Sequence, residues 1–306
     1  MISFERFVLN NGLNVLVHED HTTPMAVVNI LYNVGARDEK PDQTGFAHLF
    51  EHLMFGGSKN IPIYDEPLQR VGGENNAFTN NDITNYYISL PAVNLETAFW
   101  LESDRMLSLA FSDKSLEVQR NVVCEEFKQR YLNQPYGEVW LKLRPLAYKV
   151  HPYQWATIGK ELAHVEDATM DDVKAFFAKH YHPANATMVV GGAVKLAEVK
   201  KLAEKWFGDI PRKELAVRNL PVEPEQTEAR KESIHADVPL NAIYIAFHMS
   251  SRYDDAYYTA DLISDILSRG HSSRLFCNLL KDQKLFSDIN AYMTGSLDAG
   301  LFIVEG

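Results

Sequence analysis

The chain has 306 residues, 46% of them hydrophobic, which is enough to bury a sizeable core and indicates two domains. Its formal net charge of -11 disfavours nucleic acid and anionic membrane surfaces, and no apolar run is long enough to cross a bilayer. The two cysteines, Cys124 and Cys277, form no disulfide or thiolate metal pattern. With no leader at the start, we expect a cytoplasmic protein, or a periplasmic one if a leader was removed.

The first two thirds of the chain alternate short strands with amphipathic helices. Residues 6–19 predict a β-hairpin, because apolar alternation continues on both sides of the turn residues Asn10, Asn11 and Gly12. A longer apolar strand is predicted at 25–34. Further helices are predicted at 65–71, 93–109, 116–132, 170–180 and 196–207, and further strands at 75–90 and 186–191. Residues 135–158, rich in proline and aromatic side chains, are expected to form a connection.

Residues 44–57 are the segment on which the functional prediction depends. His48 and His52 are four apart and Glu51 is three after His48, so on a helix all three side chains point to one side. The other side chains of this helix are mostly apolar, which is typical of a buried helix. The residues expected to cap its two ends are Asp42 or Thr44 at the start and Gly56 with Gly57 at the end.

This spacing is suited to a catalytic zinc ion. Two imidazoles one helical turn apart can bind a single Zn²⁺, and a catalytic zinc takes three protein ligands and leaves its fourth position to water. Glu51 is then the carboxylate available to take a proton from that water. The alternative is that His48 and His52 are core histidines satisfied by hydrogen bonds, but the HxxEH pattern favours metal binding.

The last third of the chain begins with a segment whose composition predicts a link between two domains. Residues 217–233 contain two prolines, four glutamates and no apolar period, so they predict a linker. The elements predicted after it are strands at 234–249, 289–293 and 301–304 and helices at 254–267 and 273–281. Their order is similar to that of the first domain. We therefore expect a zinc-binding catalytic domain at 1–216, a linker at 217–233, and an incomplete second domain of the same type at 234–306.

Two separated motifs together carry a resemblance to a known family. HLFEH at 48–52 and QRNVVCEEFKQRYLNQPYG at 119–137 resemble the M16 (pitrilysin-type) zinc metallopeptidases, in particular the group similar to mitochondrial processing peptidase subunit beta and bacterial M16B peptidases. The supporting stretches are GARDE at 35–39, NNAFTNNDITNYY at 75–87, LESDRM at 101–106 and LSRGHSSRL at 267–275. The resemblance implies an α+β fold with a mixed, mainly antiparallel sheet, helices packed on one face, and a duplicated domain unit (LuxS/MPP-like).

The family takes its third zinc ligand from a glutamate on a second helix. Its RxVVxxE pattern falls on Glu126, next to Glu125. Helical neighbours of Glu126 are more apolar than those of Glu125, but spacing alone leaves both open. Many members carry another glutamate at the position that Gln119 occupies here, and an amide there can hydrogen-bond without sharing charge or protons with the site.

The resemblance also implies how substrate and partner bind. The strand at 76–79 resembles the family's substrate-binding edge, so Asn76 and Ala77 are expected to bind an extended peptide through main-chain hydrogen bonds. Without the resemblance, this segment predicts an ordinary strand and turn. The family's second-half arginine and tyrosine fall on Leu280 and Ser287, which cannot replace them. We therefore expect a heterodimer with a homologous chain that supplies this pair.

Two functional classes remain from the sequence. The first is a zinc endopeptidase acting on short or unfolded peptides, with His48, His52 and Glu126 holding one Zn²⁺ and Glu51 as the general base. The second is a non-catalytic assembly or binding subunit of the same fold. The intact HxxEH motif favours the enzyme. His180 and His182 lack a third donor nearby in the sequence and are predicted to be structural.

Overall fold

The computed structural model describes residues 2–215 and 217–306, which form two compact units. The first unit consists of residues up to Phe127 together with Trp155–Leu220, and the second of Lys128–Gln154 together with Pro221–Gly306. Residues 128–154 therefore pack with the second unit, whereas the sequence placed them in a contiguous first domain. The predicted boundary residue Ala216 lies outside the described residues.

Within the described part of the first unit, six strands form one mixed, mainly antiparallel sheet in the order β1-β2-β6-β3-β5-β4. The strands are β1 (Glu5–Val8), β2 (Asn14–Glu19), β3 (Met25–Tyr32), β4 (Glu74–Thr79), β5 (Thr84–Pro91) and β6 (Ala186–Gly192). β2 and β6 run parallel, and the other neighbouring pairs are antiparallel. The predicted hairpin is confirmed, with Gly12 at a φ of +94° in its turn.

The alternating pattern of each strand buries one face of this sheet. On β3 the side chains of Ala26, Val28 and Ile30 are buried, whereas Met25 and Val27, which alternate with them, are exposed. The helices of this unit are α1 (Phe46–Leu53), α2 (Asp65–Arg70), α3 (Leu95–Leu107), α4 (Asp113–Phe127), α6 (Leu162–Glu166), α7 (Met170–His180) and α8 (Leu196–Phe207). The arrangement confirms the predicted fold class.

The helix α5 (Val139–Ala147) lies where the sequence predicted an irregular connection. Pro145 near its C-terminal end concealed the helical pattern. Leu143 and Ala147 pack into a buried cluster with Leu301 and Ile303 of the second unit. Tertiary packing thus stabilises a helix that local propensity does not favour.

Over residues 221–306, three strands form an antiparallel sheet in the order β7-β9-β8. They are β7 (Tyr244–His248), β8 (Asn290–Met293) and β9 (Leu301–Glu305), and α9 (Ala256–Ser268) with a π-helical segment at Phe276–Asp282 lies between β7 and β8. The predicted strand at 234–249 is therefore a strand only at its end. The order β7-β9-β8 repeats the order β3-β5-β4 of the first unit. Among the described residues, no helix combines the length and apolarity that a membrane crossing requires.

Candidate metal centre

The helix α1 has one face that is not fully buried, and this face carries the HxxEH side chains. Its other side chains are buried, namely those of Phe46, Ala47, Leu49, Phe50 and Leu53. His48, Glu51 and His52 are each partly exposed. The helical spacing predicted from the sequence therefore directs these three polar side chains to the same accessible side.

The start of α1 differs from the prediction. Its N-cap residue is Gly45, with a φ of +88° and no side chain to accept a hydrogen bond, so a cap by Asp42 or Thr44 is wrong. The Thr44 hydroxyl instead accepts from the backbone N–H of Lys160 at 2.8 Å. Two N–H groups at the start of α1 donate to the side chain of Glu39. The N–H of Gly45 lies 2.9 Å and that of Ala47 2.8 Å from the Glu39 oxygens.

No sequence pattern predicted this role for Glu39, although it ends the stretch GARDE at 35–39. The one sequence feature that could have indicated it is the position of an acidic residue shortly before an apolar helix, where a negative charge is favourable. Burial raises the pKa of its carboxyl to about 8, although the N–H groups of Ala47 and Gly45 favour the charged form. The two oxygens have lone pairs for these N–H groups whether or not the carboxyl is protonated.

The helix α4 brings Glu126 to the two histidines. Its Oε2 atom lies 3.5 Å from His48 Nε2 and 3.5 Å from His52 Nε2. Glu125, the other candidate, is exposed to solvent, whereas Glu126 is partly buried. The structure therefore brings Glu126 to the pair.

These three side chains have the geometry of a metal site. Their candidate donor atoms all lie within 4.8 Å of one another, and no second such group is found among the described residues. Two donors ~2.1 Å from one tetrahedral ion are themselves ~3.4 Å apart, close to the separation of each histidine from Glu126. Two imidazoles and one carboxylate form a donor set typical of catalytic zinc, so the residues present fit this ion.

The buried phenols around α1 keep their protons. Burial raises the pKa values of Tyr86 and Tyr181 well above the usual range, and the negative charge of Glu51 contributes in the same direction. The Tyr86 hydroxyl donates to the backbone carbonyl of Phe50 at 3.3 Å. Glu51 is therefore close enough to two neutral phenols for its charge to influence them.

The predicted substrate-binding residues lie at an edge of the first sheet. In the described part of the chain β4 pairs with β5 alone, and its other edge has no strand beside it. The Ala77 N–H donates to the Asn76 side-chain oxygen at 2.8 Å. The strand β4 also contacts α1, so the edge with Asn76 and Ala77 lies close to the helix that carries the HxxEH motif.

Other residues singled out from the sequence lie outside the three-residue group. His180 is buried against Phe176, with ring centroids 4.7 Å apart, and its Nε2 atom has no hydrogen-bond partner among the residues that the structure describes. Gln119 lies on α4 two turns before Glu126 and is partly exposed. Leu280 lies in the π-helical segment of the second unit, and Ser287 is exposed.

Comparison with known proteins gives the family. Residues 14–158 match the family described as insulinase (peptidase family M16), and residues 167–306 match the peptidase M16 inactive domain. The chain is 32% identical over 307 residues to the zinc protease PqqE of Helicobacter pylori, an alignment that covers 98% of this chain and 68% of that protein. The chain belongs to the M16 peptidase family.

Further relatives agree with membership of the M16 family. The chain is 27% identical over 212 residues to mitochondrial-processing peptidase subunit beta of Saccharomyces cerevisiae, covering 68% of this chain and 45% of that protein. The crystal structure of a protease from Helicobacter pylori superposes with a TM-score of 0.91 at 31% identity, over 100% of this chain and 75% of that one. A peptidase M16 inactive domain from Pseudomonas fluorescens, at 21% identity and a TM-score of 0.87 over 99% and 74%, shows the fold alone.

Proposed function

We propose that this chain is the zinc-bearing subunit of an M16 endopeptidase that hydrolyses short or unfolded peptides. The observation that carries the proposal is the convergence of His48, His52 and Glu126, with one Glu126 oxygen 3.5 Å from both imidazoles. Relatives named as zinc proteases support the choice of ion.

The proposed mechanism assigns one task to each polar side chain of the site. His48 and His52 present Nε2 atoms, and Glu126 presents a carboxylate oxygen, to one Zn²⁺. When bound, the ion acts as a Lewis acid on the scissile carbonyl and lowers the pKa of a water molecule toward ~7. Glu51 takes the proton of that water and passes it to the leaving amine. Because water is the nucleophile, no acyl-enzyme is expected.

The free edge of β4 provides the proposed peptide-binding surface. An extended substrate adds as a strand beside Asn76 and Ala77 through main-chain hydrogen bonds. Binding of this kind requires an extended main chain, which short or unfolded peptides supply and folded domains do not. The contact between β4 and α1 supports the proposal that the bound peptide runs past the metal site.

We propose that a homologous, metal-free chain completes the enzyme. The family's arginine and tyrosine fall on Leu280 and Ser287 in this chain. Leucine has no donor and serine offers only a short neutral hydroxyl, so the two cannot replace a guanidinium and a phenol at a developing oxyanion. The similarity to a protein named as subunit beta supports a subunit role. The two-domain division at 1–216, 217–233 and 234–306 and the cytoplasmic location stay predictions.

The alternative function is a non-catalytic assembly or binding subunit. The match of residues 167–306 to the inactive domain is the observation that favours it. That region excludes the HxxEH helix, and α9 in the second unit contains no histidine. The intact motif at 48–52 therefore favours the enzyme.

Zinc content and peptide hydrolysis distinguish the two functions. We expect the purified chain to bind one Zn²⁺ and to cleave an unstructured fluorogenic peptide when the homologous partner is added, with activity lost on chelation. A chain that binds no zinc overturns the proposal. Zinc binding without hydrolysis, with or without the partner, supports the non-catalytic alternative, and full activity of the chain alone removes the heterodimer.

A further inference from the structure

At the start of the helix that carries the HxxEH motif, the N-cap residue is Gly45, which has no side chain to accept a hydrogen bond. A Cβ at Gly45 would lie 2.5 Å from the Ile158 carbonyl oxygen, and the φ of +88° is one that other residues rarely adopt. A serine, threonine or aspartate cap therefore cannot replace this glycine without strain. The N–H groups of the first turn must find an acceptor elsewhere.

Glu39 supplies that acceptor from outside the helix. Its two carboxyl oxygens accept from the N–H groups of Gly45 and Ala47, and the residue is 8% exposed. Because both N–H groups lie in a buried region, water cannot readily replace the Glu39 carboxyl group, and loss of these bonds leaves buried donors without partners.

The segment that carries Glu39 is itself attached to the β4–β5 turn. The N–H of Ala36 donates to the Asn80 carbonyl at 3.1 Å, and that of Arg37 donates to the Asn81 carbonyl at 2.9 Å. The Arg37 guanidinium pairs with Asp82 at 3.1 Å, and both side chains are buried. Residues 36–39 thus form hydrogen bonds both to the start of α1 and to the turn that follows β4.

We propose that Glu39 is a positioning residue of the metal centre, which holds the first turn of α1 and with it His48. This inference rests on the proposed function. His48 is the third residue of α1 and directly follows Ala47, whereas His52 lies near the other end of the helix. Fraying of the first turn therefore displaces His48 while leaving His52 and Glu126 in place.

Glu39→Gln tests the proposal with little change in volume. The glutamine oxygen can accept one N–H, but its amide nitrogen then faces the other donor. We expect Zn²⁺ affinity to fall by about tenfold or more, and the visible absorption of the Co²⁺-substituted protein to change as it does in His48→Ala. If Glu39→Gln does not fold, Glu39→Asp replaces it, since the shorter side chain cannot reach both donors.

A matched control comes from another helix of the same unit. Leu196 is the first residue of α8, and its N–H donates to the Glu19 carboxylate at 2.7 Å. The helix α8 carries none of the site residues. Glu19→Gln should leave Zn²⁺ affinity and the Co²⁺ spectrum unchanged. Amide hydrogen exchange of the metal-free proteins should accelerate in the first turn of α1 for Glu39→Gln and of α8 for Glu19→Gln.

The outcomes separate the inference from the proposed function. If wild type binds Zn²⁺ and Glu39→Gln (or Glu39→Asp) binds it equally well with an unchanged Co²⁺ spectrum, Glu39 serves the fold alone and the inference is wrong while the function stands. If wild type binds no Zn²⁺, both are wrong. Reduced affinity with a spectrum similar to that of His48→Ala supports the inference.

Discussion

The Nε2 atom of His52 lies 3.5 Å from Oε2 of Glu126, although the two residues belong to different helices. The packing of α1 against α4 creates this relationship. A carboxylate this close to two imidazoles can complete a metal site, and the first prediction tests whether it does.

Glu126→Gln should weaken Zn²⁺ binding by at least about tenfold, because a neutral amide oxygen replaces an anionic ligand. Competition against a chromophoric chelator measures the affinity. The control is Glu125→Gln on the same helix, which removes an equal charge from an exposed position and should leave affinity unchanged. The opposite pattern, with Glu125→Gln alone weakening binding, would give the ligand role to Glu125.

Glu51→Gln should keep the bound zinc and lower kcat by about 10²–10⁴-fold, because an amide cannot take the proton of the attacking water. Zinc content and hydrolysis are measured on the same preparation, in the presence of the homologous partner. A variant with near-normal turnover would remove Glu51 from the mechanism, and one that loses zinc would indicate a role in binding the ion.

Ala77→Pro should raise KM for peptides while leaving zinc bound, because proline removes the N–H that an added substrate strand would use. Proline is tolerated on edge strands, so the sheet should remain intact. Ala77→Ser retains the N–H and provides the control. Equal KM values for the proline and serine variants would show that substrate does not bind along this edge.

The stability of the fold should fall in acid partly because of His180. Burial, followed by the positive charge of Lys179, lowers the pKa of its imidazole to about 3 from an ordinary value of ~6.5. Between these pH values His180 binds a proton in the unfolded chain but not in the folded one. Its contribution to the free energy of unfolding is therefore complete above pH ~6.5 and is lost progressively as the pH falls toward 3. The slope from this one group is about 1.4 kcal/mol per pH unit.

Urea unfolding of His180→Phe and of wild type across this pH range measures the contribution. We expect a smaller decline for the variant, while His21→Gln, which changes an exposed histidine, should follow wild type. Parallel curves for His180→Phe and wild type would show that the pKa of His180 is the same in the folded and unfolded states, and the prediction would be wrong.

The sequence by itself determined the elements whose patterns are local. Alternation predicted the β1–β2 hairpin, and apolar spacing predicted α7 and α8 with the bounds that the structure has. The HxxEH face of α1 was also predictable, because the positions of His48, Glu51 and His52 on a helix follow from its period alone. These predictions needed no knowledge of what packs against each element.

Tertiary structure decided the relationships between elements distant in sequence. Glu125 and Glu126 differ only in which side of α4 they occupy, so the packing of α4 against α1 selects Glu126. The helix α5 forms, despite Pro145, because Leu143 and Ala147 are buried against β9. The cap of α1 comes from Glu39 rather than Thr44. Gly45 has no room for a side chain, and the Glu39 carboxyl group accepts hydrogen bonds from the N–H groups of Gly45 and Ala47. Each outcome depends on burial and contact between separate segments, which no local pattern encodes.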